Sequence, residues 1–187
     1  MSNTSSSPSP SVGKLVNAIA FAADKHKSQR RKDAEASPYI NHPIGLVNVL
    51  VNEGGIINND VLCAAVLHDT IEDTETTAQE LSSHFGEKIA SIVMEVTDDK
   101  NLPKAERKLQ QIAHAVHSSH EAKLVKLADK ICNLRDMLAS PPAGWDLVRR
   151  KAYFDWADQV SNGLKGTNSK LENILKSLIA RSSELKQ

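Results

Sequence analysis

The segment HDTIED places four ionisable side chains, His68, Asp69, Glu72 and Asp73, directly after the apolar run LCAAVL. A charge carried into a core costs on the order of several kcal/mol unless it is neutralised, paired or coordinated. On a continuous helix His68/Glu72 and Asp69/Asp73 are i, i+4 pairs, so each pair shares a face. His68 and Asp69 are neighbours and diverge by about 100°. They can converge only on something outside the helix, on the line between them. A metal ion meets that demand, with Glu72 and Asp73 flanking the same point. A helix end surfacing into solvent would account for the same charges.

Two further positions carry polar groups where apolar ones are expected. Asp129 sits in KLVKLADKICNL beside Val125, Ala128 and Cys132, and Asn133 faces the same way one turn on. A carboxylate there needs a partner, either a metal or an ion pair with Lys126 or Lys130. His42 stands between Asn41 and Pro43 at a helix start, where a capping or packing role is the commoner one. Together His42, His68, Asp69 and Asp129 form a candidate set of two imidazoles and two carboxylates. Mixed N/O donors suit Mn²⁺, Fe²⁺, Zn²⁺ or Mg²⁺ rather than a thiolate site. Four protein ligands leave positions open on a six-coordinate ion, where a water could be activated.

The elements that must position these residues read as helices. Leu15, Ile19 and Ala22 share a stripe on a first helix over about Val12–Gln29. Pro43 opens Ile44–Glu53, which Gly54-Gly55 stops. Asn59 or Asp60 can cap VLCAAVLHDTIED, taken as one helix that is apolar nearly all round through Leu67. Thr77 and Glu80 match a capping box. Further helices are expected over Ile89–Val96, from Pro103 to Ala115, over Glu121–Ala139, Asp146–Asn162 and Thr167–Ser182. The period near 3.6 predicts an all-α fold: a single helical bundle over residues 14–182. Residues 1–13, Ser/Pro-rich and almost without apolar side chains, are expected to be a disordered tail.

Composition narrows the function classes. The 187 residues carry 23 Lys+Arg and 23 Asp+Glu, so the formal net charge is zero, which argues against a general nucleic-acid coat. Any anionic ligand must meet a local patch, and Gln29-Arg30-Arg31-Lys32 supplies one. Cys63 and Cys132 lie in apolar runs and suit small buried hydrophobes rather than a disulfide scaffold. No stretch approaches the roughly 18 apolar residues of a membrane span, and no secretory signal opens the chain. A cytoplasmic location is the expectation.

The ordered series HKSQRRKD (His26–Asp33), PYINHP (Pro38–Pro43), AAVLHDTIEDT (Ala64–Thr74), EVTDDKNLPKAERK (Glu95–Lys108), AKLVKLADKICNLRD (Ala122–Asp136) and YFDWA (Tyr153–Ala157) resembles the HD-domain metal-dependent phosphohydrolases. Within them it is most similar to the metazoan SpoT-like small alarmone hydrolases, and the likeness runs from His26 to Thr167. The resemblance implies that His42, His68, Asp69 and Asp129 bind Mn²⁺ and that Glu72 and Asp73 work on the attacking water. It implies that Arg31, Lys32, Lys104, Asn133, Arg149 and Tyr153 line a nucleotide and phosphate pocket. The implied partner is a small-molecule nucleotide, not nucleic acid or a membrane: guanosine 3′,5′-bis(diphosphate) or its triphosphate analogue, losing the 3′-pyrophosphate. One departure is Ile131-Cys132, where relatives often carry a larger polar or aromatic residue before Asn133; it bears on substrate preference. The length holds one domain, so hydrolysis without synthesis is expected. Two other readings remain open: a phosphatase acting on another nucleotide, such as the 2′-phosphate of NADPH, and a catalytically silent nucleotide-binding module.

Overall fold

In a computed structural model, which describes residues 10–186, the most apolar segment of the sequence lies at the centre. Helix α3 (Asn59–Leu67) has every residue from Val61 to Leu67 buried. Around it are α1 (Pro10–Lys25), α2 (Asn41–Asn48), α6 (Glu87–Val96) and the long α8 (His120–Ala139). The short α4 (Thr70–Asp73) follows α3, and α5 (Ala78–Phe85) packs on α6. Helix α9 (Leu147–Asn162) packs on α7 (Lys104–Ala115), on α10 (Ser169–Ala180) and on α8, α10 packs on α8, and a 3₁₀ turn, Arg181–Glu184, follows α10. Among the described residues β-pairing is limited to one isolated bridge between Arg30 and Pro38. None of their helices is long and apolar enough to cross a membrane.

The expected all-α class is the observed one, and the aliphatic core follows from the scarcity of aromatics. Leu46, Leu50, Leu67, Leu81, Ile89, Ile92, Leu127, Ile131 and Leu134 are fully buried, with Phe154 the one aromatic among the largest such side chains. Each contributes about 1.5–3 kcal/mol of transfer free energy. Cys63 and Cys132 are both buried and free, as their apolar neighbourhoods predict.

Boundaries differ in instructive places. The first helix begins at Pro10, so residues 10–13 of the expected tail are helical; residues 1–9 lie outside the described ones. At the other end Leu185, beyond the expected limit at 182, is buried against the core. Helix α2 starts at Asn41, which places His42 and Pro43 in its first turn, and it finishes in a π-helical turn, Val49–Glu53. Gly54 lies against that turn: a Cβ there would meet Leu50 O at 2.8 Å and Leu171 Cδ1 at 3.1 Å. Asn58, not Asn59 or Asp60, caps α3, its side chain accepting from the Asp60 N–H. Thr77 caps α5 as expected, but the Glu80 carboxylate turns away to Lys25 at 2.7 Å instead of closing a capping box.

The largest correction concerns HDTIED. VLCAAVLHDTIED is not one helix: α3 stops at Leu67, His68 and Asp69 form a turn, and α4 begins at Thr70. Asp69 sits at φ −101°, ψ 0°, between the helical and extended regions. The Thr70 hydroxyl takes the Leu67 carbonyl at 2.7 Å, satisfying an acceptor that a continuing helix would have used. The i, i+4 geometry assumed for His68/Glu72 and Asp69/Asp73 therefore gives way to a turn between two helices.

Because α3 holds that turn in place, Leu67→Ala should destabilise the protein by about 2–5 kcal/mol, the range for emptying a buried leucine site. Chemical denaturation followed by circular dichroism measures it; a loss under about 1 kcal/mol would mean the centre repacks freely.

Candidate active site

The turn brings His68 and Asp69 to His42, which α2 supplies from the other side. His42, His68 and Asp69 each offer a ligand atom, and these atoms lie within 4.8 Å of one another. Asp129, from the middle of α8, falls outside that tight trio but touches it, its Oδ1 being 3.2 Å from His42 Nε2. The four side chains expected to meet do meet, contributed by α2, the α3–α4 turn and α8.

Their bonding leaves a gap of a particular kind. His68 Nδ1 donates to the Ala65 carbonyl at 2.8 Å, which fixes the proton on that nitrogen in the neutral ring. His68 Nε2 then faces Asp69 Oδ2 at 2.9 Å, off the direction a hydrogen bond needs, and is buried without a partner. His42 Nδ1 is likewise buried and unpartnered. Asp69 starts α4, yet its carboxylate makes no capping bond; instead it accepts from the Tyr39 hydroxyl. An imidazole nitrogen of each histidine thus faces a carboxylate, His68 Nε2 that of Asp69 and His42 Nε2 that of Asp129, an arrangement suited to a shared cation. With N and O donors only, the residues fit a divalent ion of the Mn²⁺, Fe²⁺, Zn²⁺ or Mg²⁺ kind.

Electrostatics within the cluster follow from burial and proximity. Burial pulls the His68 imidazolium down, but Asp69, Asp129 and the Ala65 carbonyl together carry it up to about 9. His42 is held low by its burial despite Asp129. Burial would raise the Asp129 carboxyl; the Lys130 ammonium, 2.9 Å from Oδ2, and His42 instead hold it well below the ordinary carboxylate range. The ion pair with Lys130 is real and leaves Oδ1 directed at His42, so it orients Asp129 without displacing it from the cluster. Asn133 Nδ2 donates to the same Oδ1 at 2.6 Å. Burial followed by the charges of Asp69 and Asp98 pushes Glu72 up to about 7, into the range that general acid–base chemistry uses near neutrality.

Through His42 the cluster borders a cleft of about 570 Å³ that is also lined by Arg31, Lys32, Asp73, Asn133 and Tyr153, among others. Arg31 reaches Asp136 at 2.6 Å and Asn133 at 3.2 Å, with its guanidinium over the Tyr39 ring. Lys104 and Arg149 do not line the cleft. They stand over the ring of Trp145, at 5.5 and 4.1 Å from its centroid, and Trp145 is itself part of the cleft wall. Glu72 also lies outside this wall; its Oε2 accepts from the Asp98 N–H at 3.2 Å and its Oε1 is 3.6 Å from Arg107. Cys132 lines the cleft, and burial pushes its thiol up to about 12, so it presents no thiolate.

Several supporting residues had no role assigned from sequence. Gln29 donates to Asp73 Oδ2 at 2.8 Å and accepts His26 Nδ1 at 2.6 Å, while Lys100 holds Asp73 Oδ1 at 2.5 Å. Gln29, Tyr39, Asp98 and Lys100 all lie inside the sequence blocks HKSQRRKD, PYINHP and EVTDDK; the blocks were visible, but nothing local tells which of their side chains turn inward.

Comparison with known proteins agrees with this geometry. The sequence pattern of the HD domain matches residues 18–153. The guanosine-3′,5′-bis(diphosphate) 3′-pyrophosphohydrolase MESH1 of Danio rerio is 55% identical over 168 residues, 90% of this chain and 93% of its own length. Its counterpart of the same name in Homo sapiens is 56% identical over 167 residues, covering 89% of this chain and 93% of that protein. A solved structure, described as a metazoan ortholog of SpoT that hydrolyzes ppGpp, superposes with a TM-score of 0.90 at 44% identity, over 96% of this chain and 99% of that one. Residues, fold and relatives agree: the chain belongs to the HD-domain family.

Proposed function

We propose that the chain is a Mn²⁺-dependent 3′-pyrophosphohydrolase of guanosine 3′,5′-bis(diphosphate) and its triphosphate analogue. Water adds to the phosphorus attached to the 3′ oxygen, the P–O3′ bond breaks, the 3′ oxygen leaves as a hydroxyl, and pyrophosphate and GDP or GTP result. The observation that carries the reading is the meeting of ligand atoms from His42, His68 and Asp69 within 4.8 Å of one another, with Asp129 3.2 Å from His42, beside a basic cleft. Relatives that cover nine-tenths of the chain bear the name of this activity.

His42, His68, Asp69 and Asp129 would hold the ion, and Mn²⁺ is the choice the family likeness favours among the ions that N/O donors accept. A divalent ion bound there supplies positive charge to phosphoryl oxygens and makes a water more acidic. The protein's own groups do the rest. Glu72 and Asp73 take up and return protons at the water and the leaving oxygen. Gln29 and Lys100 fix the Asp73 carboxylate, and the Asp98 N–H fixes Glu72. Arg31, Lys32, Asn133 and Tyr153 bind and orient the nucleotide within the cleft, Arg31 with a guanidinium suited to bidentate phosphate contacts. Lys104 and Arg149, held on Trp145 at the outer wall, provide charge for phosphates that extend beyond it.

Asp129→Ala should abolish metal retention and turnover together, and chelator should abolish turnover of the unaltered protein; elemental analysis with a pyrophosphate-release assay checks both. Full activity in metal-free Asp129→Ala protein would refute the site. Glu72→Gln should retain the metal and lose about 10²–10⁴-fold in kcat, as for removal of a general acid–base group; an unchanged kcat at saturating substrate removes Glu72 from the chemistry. Lys32→Ala should raise KM with little change in kcat, as expected for uniform binding. Running NADPH beside the tetraphosphate in each assay separates pyrophosphate release from removal of a 2′-phosphate.

A further inference from the structure

Past the ligand cluster lies a second, smaller cavity of about 60 Å³ that shares no lining residue with the basic cleft. Its walls include His68, Asp69 and Asp129 of the cluster, and Glu72. Gln111, Lys126 and Lys130 complete its polar lining. The cluster is thus a partition with the cleft on one side and a small polar chamber on the other.

The two lysines differ sharply. Lys130 is satisfied: it pairs with Asp129 at 2.9 Å, donates to Gln111 at 3.3 Å and stands 4.4 Å from the Trp156 ring centroid. Lys126 is 8% exposed, and among the described residues no carboxylate lies within ion-pair distance of its ammonium and no hydrogen bond is made by it. Burial and then the Lys130 charge push it down to about 8, with Asp98, Asp129 and Glu95 acting only from beyond contact. The side chain is largely buried while its ammonium opens on the chamber with no counter-charge in contact, and an anion entering the chamber would supply one.

The chamber limits what that anion can be. It has room for about four to six water-sized positions, counting 10–15 Å³ for each. That excludes a nucleoside and admits a single phosphoryl group. The proposed substrate carries such a group one bridging oxygen beyond the phosphorus under attack. That phosphorus is tetrahedral, so its 3′ oxygen and its bridging oxygen point apart. With the nucleoside in the cleft and the reacting phosphorus at the cluster, the bridging oxygen leads away from the ribose, toward the chamber.

We propose that the chamber receives the terminal phosphoryl of the 3′-diphosphate, with Lys126 as its counter-charge and Gln111 and Lys130 beside it. The proposal rests on the pyrophosphohydrolase reading and adds to it a reason for preferring a 3′-diphosphate over a 3′-monophosphate.

The test compares manganese-loaded wild-type protein with Lys126→Met, whose bound metal is first measured. By calorimetry, wild-type protein should bind pyrophosphate at least about tenfold more tightly than orthophosphate, and Lys126→Met should erase most of that preference, as for loss of one charge-assisted contact. In turnover, Lys126→Met should lose at least about tenfold more kcat/KM on guanosine 3′,5′-bis(diphosphate) than on guanosine 5′-diphosphate 3′-monophosphate. Equal losses on the two substrates with metal content unchanged would overturn the proposal, as would a wild-type protein that does not distinguish pyrophosphate from orthophosphate. The wild-type binding comparison stands even where the variant does not fold. A wild-type protein that turns over the tetraphosphate but shows no such preference defeats the chamber alone; one that releases no pyrophosphate from it defeats the pyrophosphohydrolase reading itself.

Discussion

The structure is organised around the cost of placing carboxylates and imidazoles inside an aliphatic core. Asp69, Asp129, His42 and His68 are gathered where Leu, Ile, Val and Ala supply nearly all other buried surface. Such groups persist only if every lone pair and proton is answered. Part of the answer is built in. Tyr39 donates to Asp69, Lys130 and Asn133 hold Asp129, and the Ala65 carbonyl receives the His68 proton. What those bonds leave unanswered is one nitrogen on each imidazole, and both are buried. Of these, His68 Nε2 faces the Asp69 carboxylate at 2.9 Å, where a bound cation would answer both.

The fold serves that centre by interrupting its own regularity. A continuous helix through HDTIED would point His68 and Asp69 about 100° apart. Ending α3 at Leu67 and restarting at Thr70 turns both side chains to the same point. The turn can be held because α3, from which it leaves, is buried from Val61 to Leu67. The π-helical turn at the end of α2 marks a second irregularity, close to the wall that carries His42. Arg135 fixes that turn to α8 through a two-pronged pair with Glu53, both contacts at 2.7 Å, and so ties the two helices that carry His42 and Asp129.

Much of this was legible in the sequence. The 3.6-residue period named the helices, the apolar run identified α3 as central, charged residues beside apolar runs drew attention to His68, Asp69 and Asp129, and the family likeness added His42. What escaped was whatever depends on direction rather than type. The break after Leu67 carries no Gly or Pro to announce it; the stop comes from the Thr70 hydroxyl capturing a carbonyl, which a local pattern does not reveal. Lys104 and Arg149 match the family series by position, yet their long side chains lie on Trp145 instead of lining the cleft. Lys126 and Lys130 look alike on paper as candidate partners of Asp129, and only the packing of α7 and α9 against α8 separates the paired one from the unpaired one.

That separation bears on how two adjacent carboxylates can serve one reaction. Asp73 lines the cleft, while Glu72 lines the chamber beyond the cluster. The contacts differ too: Asp73 is held by Gln29 at 2.8 Å and by Lys100 at 2.5 Å, whereas burial and then the charges of Asp69 and Asp98 push Glu72 up to about 7. Two neighbouring groups with opposed environments divide proton traffic between them more readily than two equivalent ones. The proton transfers of the proposed reaction are then shared between a carboxylate on the cleft side, Asp73, and one on the chamber side, Glu72.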